Sequence, residues 1–215
     1  MNRAVLNRAV FFDRDGTLIE EVGFLDHLDR VVLFPWTIDA LRLLRREGFK
    51  LGVVTNQSGV ARGYFDEAFV DTVHARIAAE LARGGVTIDR WYFCPHHPSD
   101  TCPCRKPRPG MLQQAMQDLQ LDLTQSYVVG DRWLDVQLAH NVGATGVLVR
   151  TGHGIAEEAQ HAAEAKDAII VPNVMDAASW IVRDVRARTA RRPASAHADG
   201  DEPSGAASRS ASAKV

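Results

Sequence analysis

The sequence predicts an α/β fold of Rossmann-like type: a mostly parallel sheet with helices on both faces, a stapled loop insertion and no large cap domain. Three observations predict it. Short apolar runs alternate with helix-period segments along most of the chain. The intervals between runs are long enough for helical crossovers, which parallel strands require. Polar clusters sit where the runs end, and in such sheets ligands bind beyond the carboxyl ends of the strands.

Val10 to Asp13 reads as the first strand and Leu51 to Asn56 (LGVVTN) as the second. Between them a helix is expected from Thr37 to Glu47, with Thr37 as N-cap, Ile38, Leu41 and Leu44 on one face, and Gly48 at its stop. A second helix should start at Asp66, carry Phe69, Val70, Val73, Ile77 and Leu81 at helical spacing, and end at Gly84 and Gly85. A strand at Trp91 to Cys94 comes next. A proline-rich loop leads to a helix at Pro109 to Leu119, a strand at Tyr127 to Gly130 and a helix at Leu134 to Val142. Strands at Gly146 to Val149 and Ala168 to Val171 and a helix at Val174 to Arg186 complete the alternation.

With 215 residues, 46% of them hydrophobic, the chain can bury a core for one domain, expected over residues 1–187. Residues 188–215 are Ala, Ser, Arg, Asp and Gly with almost no large apolar side chain, so a disordered tail is expected there. The net charge of -2 offers no basic footprint for nucleic acid. No run approaches the roughly 18 apolar residues of a membrane span, and Arg3 and Arg8 interrupt any signal-peptide core, so a cytoplasmic protein without a membrane partner is expected. A monomer is expected.

Two aspartates, Asp13 and Asp15, close the first strand, with only Arg14 between them and Gly16-Thr17 behind. An acidic turn explains such a pair in isolation; a phosphate-bearing substrate explains it together with the polar residues at the other strand ends. One carboxylate can attack phosphorus and form an acyl phosphate, while its neighbour protonates the departing alkoxide and later takes a proton from water. Like-charge repulsion between carboxylate and phosphate calls for a cation, and Mg²⁺ suits oxygen ligands. Asp131, in VVGDRWLD, could supply a further ligand, and Asp135, one helical turn on, could hold a metal-bound water or orient a ligand. Thr55 and Asn56 offer neutral donors at another strand end, and Lys106 offers a charge for the phosphoryl oxygens.

The set Asp13-x-Asp15-Gly16-Thr17, Thr55-Asn56, Lys106 and Gly130-Asp131-x-x-x-Asp135 resembles, in order, the four motifs of the haloacid dehalogenase (HAD) superfamily of phosphotransferases. The resemblance implies Asp13 as nucleophile, Asp15 as general acid and base, Thr55 and Lys106 on the phosphoryl group, and Mg²⁺ held by Asp13, the backbone carbonyl of Asp15, and Asp131.

All three cysteines fall in CPHHPSDTCPCRKPRPGM, where Cys94, His96, Cys102 and Cys104 make a Cys₃His set typical of closed, structural zinc sites. Its C-x-H and C-x-C spacings are tighter than those of zinc fingers, and a loop with free thiols is the alternative. His97 is not expected to be a ligand. A pinned loop would hold Arg105 and Lys106 over the reaction centre. With TNQSGVARG (Thr55 to Gly63) and CRKPRPGM, this loop resembles the heptose 1,7-bisphosphate phosphatase family and the related histidinol-phosphate phosphatase domains. That resemblance implies removal of the C7 phosphate from a small phosphorylated sugar. It implies substrate contacts at Glu21, Val22, Gly23, Phe24, Thr55, Asn56, Gln57, Ser58, Arg105, Lys106 and Arg132. The interval from His96 to Cys102 is shorter than in the heptose enzymes, and this loop approaches the substrate. Histidinol phosphate and a catalytically silent, zinc-stapled binding module remain the competing readings.

Overall fold

The computed structural model describes residues 7–191. Six parallel strands form one sheet in the order β3-β2-β1-β4-β5-β6. They are β1 (Ala9–Phe12), β2 (Lys50–Asn56), β3 (Arg90–Cys94), β4 (Tyr127–Gly130), β5 (Thr145–Val149) and β6 (Ile169–Val171). The helices are α1 (Thr37–Arg46), α2 (Glu67–Arg83), α3 (Gly110–Leu119), α4 (Trp133–Asn141), α5 (Gly154–Gln160) and α6 (Val174–Arg191). The strand order reverses between β1 and β4, the crevice position at which doubly wound sheets bind ligands.

Alternation along β1 explains the two-faced core. Val10 and Phe12 point to one side, into a cluster with Leu41 and Leu44 of α1, Val73, Ile77 and Leu81 of α2, and Ile181 of α6. Ala9 and Phe11 point to the other, against Met111, Leu112 and Ala115 of α3 and Leu138 and Ala139 of α4. A strand buried on both faces must be apolar at every position, which is why the run ending at Asp13 shows no polar alternation.

Some boundaries differ from the sequence reading, each for a local reason. Thr37 is the first residue of α1 rather than its cap; Trp36 holds that position, and the Thr37 hydroxyl donates instead to the carbonyl of Leu18 at 2.8 Å. Asp66 does cap α2, its carboxylate accepting from the Phe69 amide at 2.8 Å. The short helix α5 has no counterpart in the sequence reading. The last helix runs past Arg186 to Arg191, so the tail expected at 188–215 overlaps it over 188–191 and otherwise lies outside the described residues. No helix among the described residues is long and apolar enough to cross a membrane.

Candidate active site

The carboxyl ends of β1, β2 and β4 meet at a cavity of about 250 Å³. Asp13 follows β1, Thr55 and Asn56 end β2, and Asp131 follows β4, so three stretches far apart in sequence share one rim. Lys106 arrives from the loop between β3 and α3 and is almost fully buried. Its ammonium lies 3.0 Å from Asp13 Oδ1 and 2.7 Å from Asp135 Oδ1, and donates to the Val54 carbonyl at 2.9 Å. Burial favours the neutral amine, but the charges of Asp13 and Asp135 outweigh it and hold the Lys106 pKa above its ordinary value. Asp131 and Asp135 are both pushed well above the usual carboxylate range. Burial is the main cause for each, reinforced by the charge of Asp13 and, for Asp135, opposed by Lys106.

Asp15 is clamped from two sides. The buried Arg14 guanidinium forks onto it, with Nε 3.1 Å from Oδ2 and Nη2 3.2 Å from Oδ1. Gln57 donates from Nε2 to Asp15 Oδ2 at 2.9 Å and to the Thr55 hydroxyl oxygen at 2.9 Å. Thr55 therefore keeps its own O–H for a ligand. The Arg14 amide donates to Asp13 Oδ1 at 2.7 Å. The turn that makes this possible needs Gly16, which has φ +74° and sits against the Asp131 carboxylate where a Cβ would collide.

Asp13, Asp131 and Asp135 each offer a carboxylate oxygen, all within 4.8 Å of one another. Carboxylate oxygens gathered this closely suit a small, hard cation such as Mg²⁺, which takes oxygen ligands. Asp131 adds a second observation: Oδ2 accepts from the His153 amide at 2.8 Å, while Oδ1 is buried with no hydrogen-bond partner among the described residues. An unpaired, desolvated carboxylate oxygen beside two other carboxylates asks for a cation.

The cysteine loop has comparable logic. The Cys94 and Cys104 sulfurs are 3.2 Å apart, Cys94 and Cys102 3.7 Å, and His96 Nδ1 lies 3.5 Å from Cys94 and 3.3 Å from Cys104. Tetrahedral Zn²⁺ with bonds of about 2.3 Å to sulfur sets S···S separations near 3.8 Å, so these four residues fit zinc with no position left open. Burial pushes the Cys94 thiol up, which keeps it protonated until a cation takes the proton's place. His97 lies apart from this set, its Nδ1 2.7 Å from the Ser99 hydroxyl. The loop is tied to the reaction centre by Asn56, whose amide brackets the Lys106 backbone: Lys106 N donates to Oδ1 at 3.0 Å and Nδ2 donates to Lys106 O at 3.3 Å.

Of the expected substrate contacts, Glu21, Gly23, Phe24, Thr55, Asn56, Gln57, Ser58, Arg105, Lys106 and Arg132 line the cavity. Val22 does not. Its side chain packs on the core and its carbonyl accepts from Arg30 at 2.8 Å. Asn56 is drawn into holding Lys106, so its amide is less available to a ligand than the sequence suggested. Two contributors escape the sequence reading. Arg14 looks like a spacer between aspartates, although a charge inside a strand-end motif is a signal. His153, on the β5–α5 connection, lines the cavity opposite Glu21 and belongs to no stretch that the sequence singles out.

A parallel sheet with a nucleophile-like carboxylate at its switch point, a buried lysine and an acidic cation cradle defines the phosphatase class of HAD-like hydrolases. The HAD-hydrolase-like family model matches residues 103–177. The chain is 46% identical over 165 residues to the D-glycero-β-D-manno-heptose-1,7-bisphosphate 7-phosphatase of Yersinia pestis, covering 73% of this chain and 87% of that one. The enzyme of the same name from Escherichia coli K12 is also 46% identical, over 73% and 86% of the two chains. The crystal structure of the D,D-heptose 1,7-bisphosphate phosphatase of B. bronchiseptica, complexed with magnesium and phosphate, superposes with a TM-score of 0.77 at 31% identity, over 82% of this chain and 99% of that one. The chain belongs to this family of HAD-like phosphatases.

Proposed function

We propose that this chain removes the C7 phosphate of D-glycero-D-manno-heptose 1,7-bisphosphate through a phosphoaspartate on Asp13, acting as a monomer in the cytosol. The observation that carries the reading is the pairing of Lys106 with Asp13 at 3.0 Å beside an Asp15 clamped by Arg14 and Gln57. The 46% identity to heptose bisphosphate phosphatases supports the choice of sugar.

Asp13 Oδ1 is engaged by Lys106 and the Arg14 amide, which leaves Oδ2 to attack phosphorus. As the new O–P bond forms, the bond from phosphorus to the sugar oxygen breaks, and Asp15 gives that oxygen its proton. Thr55 donates to the phosphoryl oxygens and the positive charge of Lys106 lies beside them, where negative charge builds in the transition state. Asp15, now ionised, takes a proton from a water that attacks the phosphoaspartate, releasing inorganic phosphate and restoring Asp13. Mg²⁺, held by Asp13, Asp131 and the backbone carbonyl of Asp15, would screen the phosphate charge from the carboxylates. Zn²⁺ on Cys94, His96, Cys102 and Cys104 would be structural.

Phosphate release measured side by side on both anomers of heptose 1,7-bisphosphate and on histidinol phosphate tests this. Heptose bisphosphate should be cleaved at least tenfold more efficiently, and Asp13→Asn should abolish cleavage of all three. Faster cleavage of histidinol phosphate contradicts the substrate; equal rates in Asp13→Asn contradict the nucleophile.

A further inference from the structure

We infer that His153, paired with Glu21 across the mouth of the cavity, is a specificity-determining residue that selects leaving groups carrying hydroxyls. The inference rests on the phosphatase reading above and adds a discriminating element to it. His153 Nε2 faces Glu21 Oε2 at 3.8 Å, and the two side chains are 44% and 22% exposed, open enough to meet a ligand. The pair spans two segments, since Glu21 lies on the connection after β1 and His153 on the one after β5.

The separation is what gives the pair a use. At 3.8 Å the two groups are too far apart for a direct hydrogen bond, yet one hydroxyl oxygen at about 2.8 Å from each can bridge them at an angle near 85°. Such a hydroxyl donates to the carboxylate and accepts from the Nε2–H. Glu21 is held in place for such a bridge, because its other oxygen, Oε1, accepts from the Gly23 amide at 2.6 Å and Oε2 accepts no hydrogen bond among the described residues. His153 is fixed through its backbone, whose amide donates to Asp131 Oδ2 at 2.8 Å, and its loop is pinned by the Thr151 hydroxyl donating to Gly16 O at 2.6 Å. The turn that positions Asp131 thus also aims the imidazole across the cavity.

Glu21, Phe24 and His153 line the same cavity as Asp13, Thr55 and Lys106, so the leaving group of a phosphoryl group held by those three can reach the pair. A polyol offers a hydroxyl to the gap; an aryl leaving group has none and leaves Glu21 desolvated against a ring. Hydrogen bonds to charged groups discriminate by one to two orders of magnitude when the ligand lacks the partner.

The test uses the full-length, metal-loaded enzyme with heptose 1,7-bisphosphate and phenyl phosphate as paired substrates, reading the ratio of their kcat/KM values. Replacing His153 by alanine keeps the backbone amide that holds Asp131. The ratio in His153→Ala should fall about tenfold, chiefly through KM for the sugar, and His153→Gln, which restores a donor near the Nε2 position, should recover most of it. A ratio within twofold of wild type in His153→Ala overturns the inference, whether both activities hold or both fall together. So does a glutamine variant no better than alanine. If the wild-type enzyme releases phosphate from neither substrate, the phosphatase reading fails instead, and the two failures are told apart.

Discussion

The reaction centre and the cysteine loop are neighbours that gather costly groups in opposite ways. At the reaction centre three carboxylates crowd together, but the chain supplies a cation of its own: Lys106 sits against Asp13 and Asp135, so the cluster is partly neutralised by protein alone. In the cysteine loop three sulfurs and an imidazole converge with no comparable cation among the described residues; Arg108 reaches in, but its Nη1 donates at 2.6 Å to the Cys102 carbonyl and lies 4.0 Å from the Cys102 sulfur. A cluster that carries its own counter-charge can fold first and bind its ion later. A cluster without one must take its counter-charge from an ion if it binds one, and the binding energy of that ion then becomes folding energy. Because Asn56 and the Lys106 backbone connect the two, the loop's closure decides where the lysine stands.

The sharpest way to break this contrast is to remove the internal cation. Lys106→Met leaves Asp13 and Asp135 facing each other undiluted. It is expected to cut kcat/KM by about 10³-fold or more and to destabilise the fold by about 3 kcal/mol, read by steady-state kinetics and denaturant unfolding. A loss of activity with unchanged stability would show that the lysine serves the substrate and not the cluster.

A smaller effect is expected from the loop. Cys104→Ser should weaken metal retention and lower activity about 10- to 100-fold, with zinc content by elemental analysis falling in step and the thermal midpoint dropping. Full activity in zinc-free protein would separate the loop from the reaction centre.

His74 sharpens the contrast from a third position, because there a buried titratable group is accommodated by staying neutral. It lies stacked on Trp91 at 4.8 Å, and burial, helped by the Arg14 charge, lowers its pKa to about 3. The imidazole stays neutral in the fold, whereas in the unfolded chain it binds a proton below about pH 6.5. Its contribution to stability is therefore complete above that pH and is lost progressively as pH falls toward 3. His74→Leu is expected to flatten the acid side of the stability profile by on the order of 2 kcal/mol between pH 7 and pH 4, measured by urea unfolding across that range. An unchanged slope would mean that the imidazole is hydrated in the native state.

The position of each group decides how much of it was legible in the sequence. Asp13, Thr55 and Asp131 could be read because each ends an apolar run, and a parallel sheet converts that position into a shared rim. The Cys₃His set could be read because its four residues are close in sequence, so local spacing already constrains them. The segment after β5 could not. Residues Gly154–Gln160 form a short helix whose Ile155 is 67% exposed, so α5 has no apolar stripe to betray it, and His153 just before it carries no motif. Thr37 misled for the opposite reason, since a residue with strong capping chemistry was claimed by a more distant acceptor, the Leu18 carbonyl. Val22 misled because it lies between cavity-lining neighbours while its own side chain turns to the core.

Turnover by the proposed route requires Asp13 to become phosphorylated. The most direct measurement is rapid acid quenching of the Mg²⁺-loaded enzyme with substrate labelled at the C7 phosphate, followed by peptide mapping of the label. A hydroxylamine-labile phosphate on Asp13, absent from Asp13→Asn, is the predicted result; steady turnover with no label on that residue, or with label on another side chain, would contradict it.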